Sequence, residues 1–276
     1  MIKAAIISPI DLLDKYSSPE VKGEGYHLML SNLCQKNSDG YKDFRYLDYY
    51  RERSAEGDFI ILDNSAHELG HGESFDAMRS IISDVRPSEV VVPDRLFFGE
   101  DTVANAEEFI PKFRKEYGTE IALMGVPQGR TTEEWDACAQ MLISLGVDSI
   151  GISKDYEVWP GKLIGRFLVI KELALDYGLQ IPVHMLGWGR DLAQIVDFRS
   201  FTETTGEDAT GAWIRGTDSA KPLVYAEAGI KLPNSITTPS PVYPKRKVNY
   251  FELQAQDIRE DLARHNIEVM RSWITQ

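Results

Sequence analysis

The chain has 276 residues, of which 43% are hydrophobic and 26% charged, and its formal net charge is -13. This length is enough for one large α/β domain or two small ones, and no apolar run approaches the roughly 20 residues of a membrane span. The negative charge argues against a protein that coats nucleic acid by bulk electrostatics, because phosphate binding needs clustered lysine and arginine. The two cysteines, Cys34 and Cys138, give no disulfide framework, so we expect a protein of the reducing cytoplasm.

Short apolar segments recur along the chain, and most are followed by a longer segment with helical periodicity. The predicted strands are Ala4–Pro9, His27–Asn32, Phe59–Asp63, Glu89–Asp94, Ile121–Val126, Ser149–Ser153, Pro182–Gly187 and Ala212–Thr217. The predicted helices are Ser74–Val85, Thr102–Tyr117, Thr132–Leu145, Gly161–Tyr177 and Asp191–Phe201. Apolar strands without alternation are typical of a parallel sheet that is buried on both faces. The pattern predicts an α/β fold, a (β/α)8 TIM barrel.

An open doubly wound sheet is the alternative fold, but no G-x-G-x-x-G follows the first strand. We predict the barrel over residues 1–234 and a C-terminal extension over 235–276. The extension contains Pro-rich turns, a basic loop and a helix from about Phe251 to Trp273, which we expect to pack on the barrel. The irregular segment Leu33–Asp58 is interpreted as an insertion near an active site.

Polar residues follow five of the predicted strands at the point where each strand ends. They are Asp63, Asp94, Gln128, Ser153 with the Gly151 backbone, and Asp218. The ends of barrel strands face one rim, where barrel enzymes carry their chemistry. Clustered carboxylates repel one another, so stability does not explain them, although each residue alone is also typical of a cap or turn.

Paired carboxylates suit glycosidic-bond chemistry, in which one attacks the anomeric carbon and the other transfers a proton. An amide and a further carboxylate suit the edge of a purine-like base, because together they donate to and accept from its ring nitrogens and exocyclic groups. The residue types at the strand ends therefore suit chemistry at a glycosidic bond and recognition of a purine-like edge.

Six short motifs at the predicted strand ends carry a resemblance to one enzyme family. The first three are Asp63-Asn-Ser-Ala-His-Glu68, Val92-Pro-Asp94 and Met124-Gly-Val-Pro-Gln-Gly129. They resemble motifs of the tRNA-guanine transglycosylases and of the related 7-deazaguanine DNA transglycosylases. Those enzymes have Asp-Ser-Gly-Gly-Phe/Tyr-Gln, an acidic Asp-Glu-Cys-Thr segment and Gly-Ile-Val-Gln-Gly in the same order.

The other three motifs follow in the same order as in the family. They are Ile150-Gly-Ile-Ser153, His184-Met-Leu-Gly-Trp-Gly189 and Thr217-Asp-Ser-Ala-Lys-Pro222. They resemble Gly-Gly-Leu-Ala, Tyr-Leu-Met-Gly-Val-Gly and Phe-Asp-Cys-Val-Met-Pro, respectively. The resemblance covers most of the chain as short motifs rather than as long identity.

The resemblance implies a glycosyltransferase that exchanges guanine in a polynucleotide for a 7-deazaguanine base such as preQ0. Asp218 would be the nucleophile that bonds to C1′ of the sugar, and Asp63 would be the general acid/base. The residues that would bind the base are Asp94, Gln128, Gly151, Ile152, Met185, Leu186 and Gly187. The target base has to leave the stack to reach such a pocket, so a flipped base or a single-stranded substrate is implied.

Two departures from the family pattern bear on cofactor and substrate. The tRNA enzymes carry a Cys-x-Cys-x-x-Cys plus His zinc site near the C-terminus, whereas this chain has no cysteine after Cys138. We therefore expect no zinc and no other cofactor. The missing zinc motif and the short chain favour DNA over tRNA, with a tRNA-guanine transglycosylase as the alternative. Glu68 stands where the family has Gln, a change that affects base selectivity.

Basic residues near the predicted active end are candidates for contact with the polynucleotide. They are Lys221, Lys245, Arg246 and Lys247. The alternative for the run at 245–247 is a solvated loop between Pro-rich turns.

Two other function classes stay open. His67-Glu-Leu-Gly-His71 matches the H-E-x-x-H pattern of zinc hydrolases, which needs both histidines on one helical face. Gly70 and Gly72 disfavour a helix there. The other class is a non-catalytic nucleic-acid binder on a degenerate barrel, which the net charge disfavours.

Overall fold

The computed structural model describes residues 2–34, 36–37, 40–41, 44–156, 181–187, 214–235, 238, 241–245 and 249–275. Its strands are β1 (Lys3–Ile6), β2 (Tyr26–Leu30), β3 (Lys36–Asn37), β4 (Gly40–Tyr41), β5 (Phe59–Asp63), β6 (Glu89–Val91), β7 (Ala122–Gly125), β8 (Ser149–Ser153), β9 (Val183–Leu186) and β10 (Ile214–Ser219). Eight of them form one sheet in the order β1-β10-β9-β8-β7-β6-β5-β2, and β3 pairs with β4 in a separate antiparallel ribbon. The eight parallel strands alternate with helices, which confirms the predicted (β/α)8 barrel class.

The described α-helices are α1 (Leu13–Tyr16), α2 (Phe44–Ala55), α3 (Ala66–Leu69), α4 (Phe75–Val85), α5 (Gly99–Tyr117), α6 (Thr132–Ser144), α7 (Lys221–Glu227) and α8 (Glu260–Thr275). Three of them, α4, α5 and α6, confirm predicted helices, whereas the predicted helices at 161–177 and 191–201 lie outside the described residues. In the part of the chain that the structure describes, no helix is long and apolar enough to cross a membrane.

The internal contacts of the chain divide it into two compact units. The central unit, named for its place in the sequence, is Pro19–Gly151, and the terminal unit is Met1–Ser18 with Ile152–Gln276. The boundary expected from the sequence between residues 234 and 235 stays a prediction.

The central unit is built on apolar strands covered by amphipathic helices. α4 begins after Ser74, whose Oγ accepts a hydrogen bond from the Ala77 N–H, and α6 begins after Thr131, which caps in the same way. Such caps satisfy backbone donors that have no partner inside the helix. Buried rings of α4 and α5 then pack together, with 5.6 Å between the ring centroids of Phe75 and Phe109. Pairs of this kind add about 0.5–1.5 kcal/mol beyond the burial of their area.

The segment interpreted as an irregular insertion, Leu33–Asp58, contains the 12-residue helix α2, and that part of the interpretation is wrong. Two tyrosines of α2 are buried and bond to the backbone of β2. The Leu30 N–H donates to the Tyr46 hydroxyl at 2.9 Å, and the Tyr50 hydroxyl donates to the Leu28 carbonyl at 3.2 Å. Their buried rings and their hydrogen-bonded hydroxyls therefore both stabilise the fold.

In the terminal unit, described residues of α7, α8 and β1 pack together in a hydrophobic core. Asn266 of α8 is fully buried, and its side chain is saturated by three backbone groups. Its Oδ1 accepts from the Leu232 N–H at 2.8 Å, and its Nδ2 donates to the carbonyls of Pro222 and Ile230, both at 3.1 Å. The C-terminal helix begins at Glu260, later than expected, because two 3-10 turns, Tyr250–Glu252 and Ala255–Asp257, precede it.

Candidate active site

In the central unit, Asp63 is the last residue of β5 and begins a tight polar turn. Its Oδ1 accepts a hydrogen bond of 2.6 Å from the N–H of Ser65. Ser65 is buried in the left-handed region at φ 58°, and its Oγ accepts from the Asn32 N–H and donates to the Asn32 Oδ1, both at 3.0 Å. This network holds the backbone after β5, and the half-buried Asp63 carboxylate stands at the strand end, as the sequence predicts.

Next to this turn, the structure brings together three side chains that sequence reasoning placed on separate strand ends or left out. Asp94 is buried, and its Oδ1 accepts a 2.7 Å hydrogen bond from Asn64 Nδ2. Its Oδ2 accepts a 2.6 Å hydrogen bond from Nε2 of Gln128, which is buried as well. We call Asn64, Asp94 and Gln128 the amide-carboxylate cluster.

The cluster is fixed by backbone contacts on either side. Asn64 Nδ2 also donates to the Val92 carbonyl at 2.8 Å, while its Oδ1 accepts from the Ala66 N–H at 2.8 Å. The Oε1 of Gln128 accepts from the N–H of Phe97 at 3.0 Å. With both amides oriented by the backbone, their NH2 groups point toward the carboxylate.

Burial raises the pKa of Asp94 from 3.8 to about 6, although the hydrogen bonds from Asn64 and Gln128 act in the opposite direction. Within the described residues, no lysine or arginine forms an ion pair with Asp94. A buried carboxylate without a cation is costly, and such groups occur preferentially at functional sites. Each carboxylate oxygen still has a lone pair for a further donor. The cluster is therefore suited to bind a ligand edge that carries N–H groups.

In the terminal unit, Asp218 lies near the end of β10, and its carboxylate is buried. Its Oδ1 lies 3.1 Å from Nε2 of His184 and accepts a 2.9 Å hydrogen bond from the N–H of Gly187. The Oδ2 receives no hydrogen bond from any described residue. Gly187 has φ 67°, a left-handed conformation that glycine adopts without strain.

The neighbouring strand β9 positions these partners of Asp218. Gly216 of β10 pairs with His184 of β9, and Thr217 pairs with Met185. The Thr217 Oγ1 also donates to the Met185 carbonyl at 2.9 Å, which ties the two strands together beside Asp218. The capping role, the alternative for Asp218, is not seen, because the described hydrogen-bond partners of its side chain belong to the β9 segment rather than to α7.

The other residues expected to bind the base lie in or after strands. Gly151 and Ile152 are consecutive buried residues of β8, and Met185 is a buried residue of β9. Leu186, the last residue of β9, is half-buried. Their contact with a base stays a prediction.

Of the four basic residues proposed to contact a polynucleotide, two are described. Lys221 is half-buried at the first position of α7, and Lys245 is exposed. Arg246 and Lys247 lie outside the described residues.

The H-E-x-x-H pattern does not lie on one helix. α3 ends at Leu69, because Gly70 has φ 82°, so His67 is helical and His71 is not. Across the described ranges, no three His, Cys, Asp or Glu side chains are grouped so that they could hold a metal ion. Both cysteines are buried, and burial raises the pKa of each thiol, that of Cys138 to about 11.

Two residues of the site were not assigned a role from the sequence. Asn64 follows Asp63 directly, and its proximity to a predicted carboxylate was the available signal. His184 begins the motif that resembles Tyr-Leu-Met-Gly-Val-Gly, and a histidine in place of the family's tyrosine was the signal there.

Comparisons with known proteins do not assign the chain to a family. No family model matches it, and no curated protein matches it. Among solved structures, the chain is similar to one titled as the U32 peptidase Mk0906, with a TM-score of 0.37 and 14% identity, over 79% of this chain and 92% of that chain. A similarity at this level does not indicate an activity.

Proposed function

We propose that the chain is a base-exchanging transglycosylase that replaces guanine in a polynucleotide, DNA in preference to tRNA, with a 7-deazaguanine. The observation that carries this proposal is the buried carboxylate of Asp218, which is held through Oδ1 alone and has no lysine or arginine partner within the described residues. An oriented carboxylate with one oxygen available is suited to attack an electrophilic carbon.

The amide-carboxylate cluster supports guanine or a close analogue as the base. The guanine edge presents ring and exocyclic N–H groups, which a carboxylate accepts, and a carbonyl oxygen, which an amide NH2 recognises. Specificity of this kind is strong, because a base that lacks these groups leaves buried polar atoms of Asp94 and Gln128 without partners.

The backbone of the first motif supports the resemblance noted in the sequence. Ser65 stands at the position of the first glycine in Asp-Ser-Gly-Gly and has the left-handed φ of 58°. Glycine adopts this conformation at no steric cost, and serine does so less readily. The turn after Asp63 therefore has the geometry that a glycine in the related motif would allow.

The proposed reaction has two displacements at C1′ of the sugar. In the first, Asp218 Oδ2 bonds to C1′, the bond from C1′ to guanine N9 breaks with its electron pair, and Asp63 gives a proton to the departing base. In the second, N9 of the incoming 7-deazaguanine loses its proton to Asp63 and bonds to C1′, which releases the Asp218 carboxylate. The two displacements retain the configuration of the sugar.

This reaction requires Asp63 and Asp218 to reach one sugar, and it requires a flipped or single-stranded guanine. DNA is preferred as substrate because the chain lacks the cysteine motif of the tRNA enzymes. Lys221 and Lys245 are candidates to contact the phosphates.

The test is incubation of the purified protein with radiolabelled guanine and either DNA or tRNA, with Asp218→Asn as the control. We expect label in DNA with the wild type and none with Asp218→Asn. Label in tRNA alone would support the exchange reaction and identify tRNA, not DNA, as its substrate. Robust incorporation by Asp218→Asn would refute the assignment of the nucleophile.

A further inference from the structure

We propose that His184 is a positioning residue that holds Oδ1 of Asp218 and thereby assigns Oδ2 as the oxygen that attacks C1′. This inference rests on the proposed function for the identity of the reaction. The hydrogen bond itself is a property of the protein alone and can be tested separately.

The geometry assigns different environments to the two carboxylate oxygens. Oδ1 has two donors that approach from β9 and the turn after it, His184 Nε2 at 3.1 Å and the Gly187 N–H at 2.9 Å. Oδ2 accepts no hydrogen bond from the described residues. It is also not among the solvent-inaccessible side-chain atoms that lack a hydrogen-bond partner. A carboxylate that is clamped at one oxygen presents the other in a fixed direction, which lowers the entropic cost of reaching the transition state.

His184 is well placed to act as such a clamp. Its side chain is fully buried, and its residue pairs with Gly216, two positions before Asp218 in β10. A histidine ring has two χ angles and is rigid once it is packed, so a donor at Nε2 stays in position. The donation requires a proton on Nε2, which both the imidazolium and one neutral tautomer supply.

The clamp affects the two displacements unequally. When Asp218 is bonded to the sugar, Oδ2 becomes the ester oxygen and Oδ1 becomes its carbonyl oxygen, and the negative charge of the carboxylate is lost. Donors to Oδ1 stabilise a carboxylate more than an ester carbonyl, because hydrogen bonds to charged acceptors are the stronger ones. His184 therefore favours departure of the carboxylate in the second displacement.

The first experiment reads the proton on His184 by NMR of protein labelled with 15N-histidine. The His184 signal is identified by its loss in His184→Gln. We expect a protonated Nε2 whose proton shifts upfield in Asp218→Asn, because a neutral amide oxygen is the weaker acceptor. An Nε2 without a proton, or a signal that does not respond to Asp218→Asn, would overturn the inference.

The second experiment measures the two displacements separately in single turnovers, first guanine release and then transfer of the trapped sugar to the incoming base. His184→Met removes the donor and keeps an apolar side chain of similar reach, whereas His184→Gln places an amide NH2 near the position of Nε2. We expect about tenfold slower transfer in His184→Met, a smaller effect on release, and recovery to within about threefold in His184→Gln. His265→Gln, on α8, is the control.

The outcomes separate this inference from the proposed function. If the wild type exchanges no base but the NMR result is as expected, the clamp on Asp218 stands and the reaction is wrong. If exchange occurs and His184→Met matches the wild type in both displacements, the clamp is wrong and the reaction stands.

Discussion

The described part of the chain contains two buried histidine–aspartate pairs that have the same separation and different surroundings. In the central unit, His27 Nε2 lies 3.1 Å from Asp58 Oδ2, and in the terminal unit His184 Nε2 lies 3.1 Å from Asp218 Oδ1. Asp58 comes directly before β5, whereas Asp218 lies near the end of β10. In barrel enzymes, the start of a strand serves stability and its end carries chemistry.

The second oxygen of each carboxylate distinguishes the pairs. Asp58 Oδ1 accepts from the Gly25 N–H at 2.9 Å, and Arg53 Nη1 lies 4.0 Å from its Oδ2, so both oxygens are in use. A Cβ on residue 25 would lie 2.4 Å from the Asp58 carboxyl group, so only glycine fits there. In Asp218, both described partners contact Oδ1, and Oδ2 has no partner within the described residues. The contact between a histidine and an aspartate therefore does not separate the two pairs, whereas the second carboxylate oxygen does.

The largest expected effect that separates the pairs is that of Asp218→Asn on exchange. The substitution keeps the shape of the side chain and removes the nucleophile, so we expect the rate to fall at least about a thousandfold. Thermal unfolding should change little. A rate within tenfold of the wild type would show that Asp218 and Asp58 are alike in being structural.

The matching change in the other pair is Asp58→Asn, which we expect to lower the free energy of unfolding by about 3 kcal/mol. The substitution removes a buried negative charge that lies against His27 and near Arg53, although Arg53 keeps its ion pairs with Glu52 and Glu56. The measurement is urea denaturation, with Asp48→Asn on the exposed face of α2 as the control, for which we expect less than about 1 kcal/mol. Equal destabilisation by the two variants would contradict a structural role for the central pair.

The amide-carboxylate cluster makes a prediction about pH. The folded-state pKa of Asp94 is raised from 3.8 to about 6, so its contribution to stability is full below pH 3.8 and is lost as the pH rises through 6. The difference is on the order of 3 kcal/mol for such a shift. In Asp94→Asn, the free energy of unfolding from urea denaturation should lack this decrease between pH 4 and pH 7. An unchanged pH dependence would show that Asp94 titrates normally.

Binding of the base should depend on the same group. A carboxylate accepts N–H groups of the guanine edge, and the protonated acid is a poorer acceptor. The Kd for guanine should therefore rise as the pH falls below about 6 in the wild type. Calorimetry between pH 5 and 8 measures this, and a constant Kd would exclude Asp94 as the group that reads the base.

The contribution of His27 to stability depends on pH in the opposite direction to that of Asp94. Burial lowers its pKa below 6.5, the ordinary value, so its contribution to stability is present above pH 6.5 and is lost as the pH falls through the folded-state pKa. His27→Gln should remove this part of the acid sensitivity of the free energy of unfolding. If acid sensitivity in denaturation curves is the same in the variant, the central pair does not titrate with folding.

The smallest expected effect concerns the basic residues. Lys245→Ala should weaken oligonucleotide binding and reduce the slope of log K against log salt by about one unit if Lys245 contacts one phosphate. Fluorescence anisotropy at several salt concentrations measures the slope. An unchanged slope would identify Lys245 as a solvated loop residue.

Part of this arrangement can be predicted from the sequence, and part depends on contacts between distant segments. Asp63 and Asp218 follow apolar runs, and a buried strand that ends in a carboxylate can be recognised from the sequence alone. The bond between Asp94 and Gln128 joins loops that follow neighbouring strands. The parallel order makes this bond understandable, but the orientation of the Gln128 amide depends on the Phe97 backbone.

Asn64, His184 and α2 could not be assigned in the same way. The role of Asn64 depends on where the loop after β6 lies, and that of His184 depends on the register between β9 and β10. The pattern of α2 is obscured by charged residues between its apolar positions. Its tyrosines become core residues only because their hydroxyls find backbone partners on β2.

The most direct test of the central claim is to locate the covalent bond to the sugar. The protein is incubated with a guanine-containing oligodeoxynucleotide, quenched in acid and digested, and the peptides are read by mass spectrometry. The assignment of Asp218 as the nucleophile predicts a deoxyribose adduct on the peptide that contains Asp218, and none on the peptide that contains Asp58 or Asp63. An adduct on any other residue, or exchange of guanine without any adduct, would contradict it.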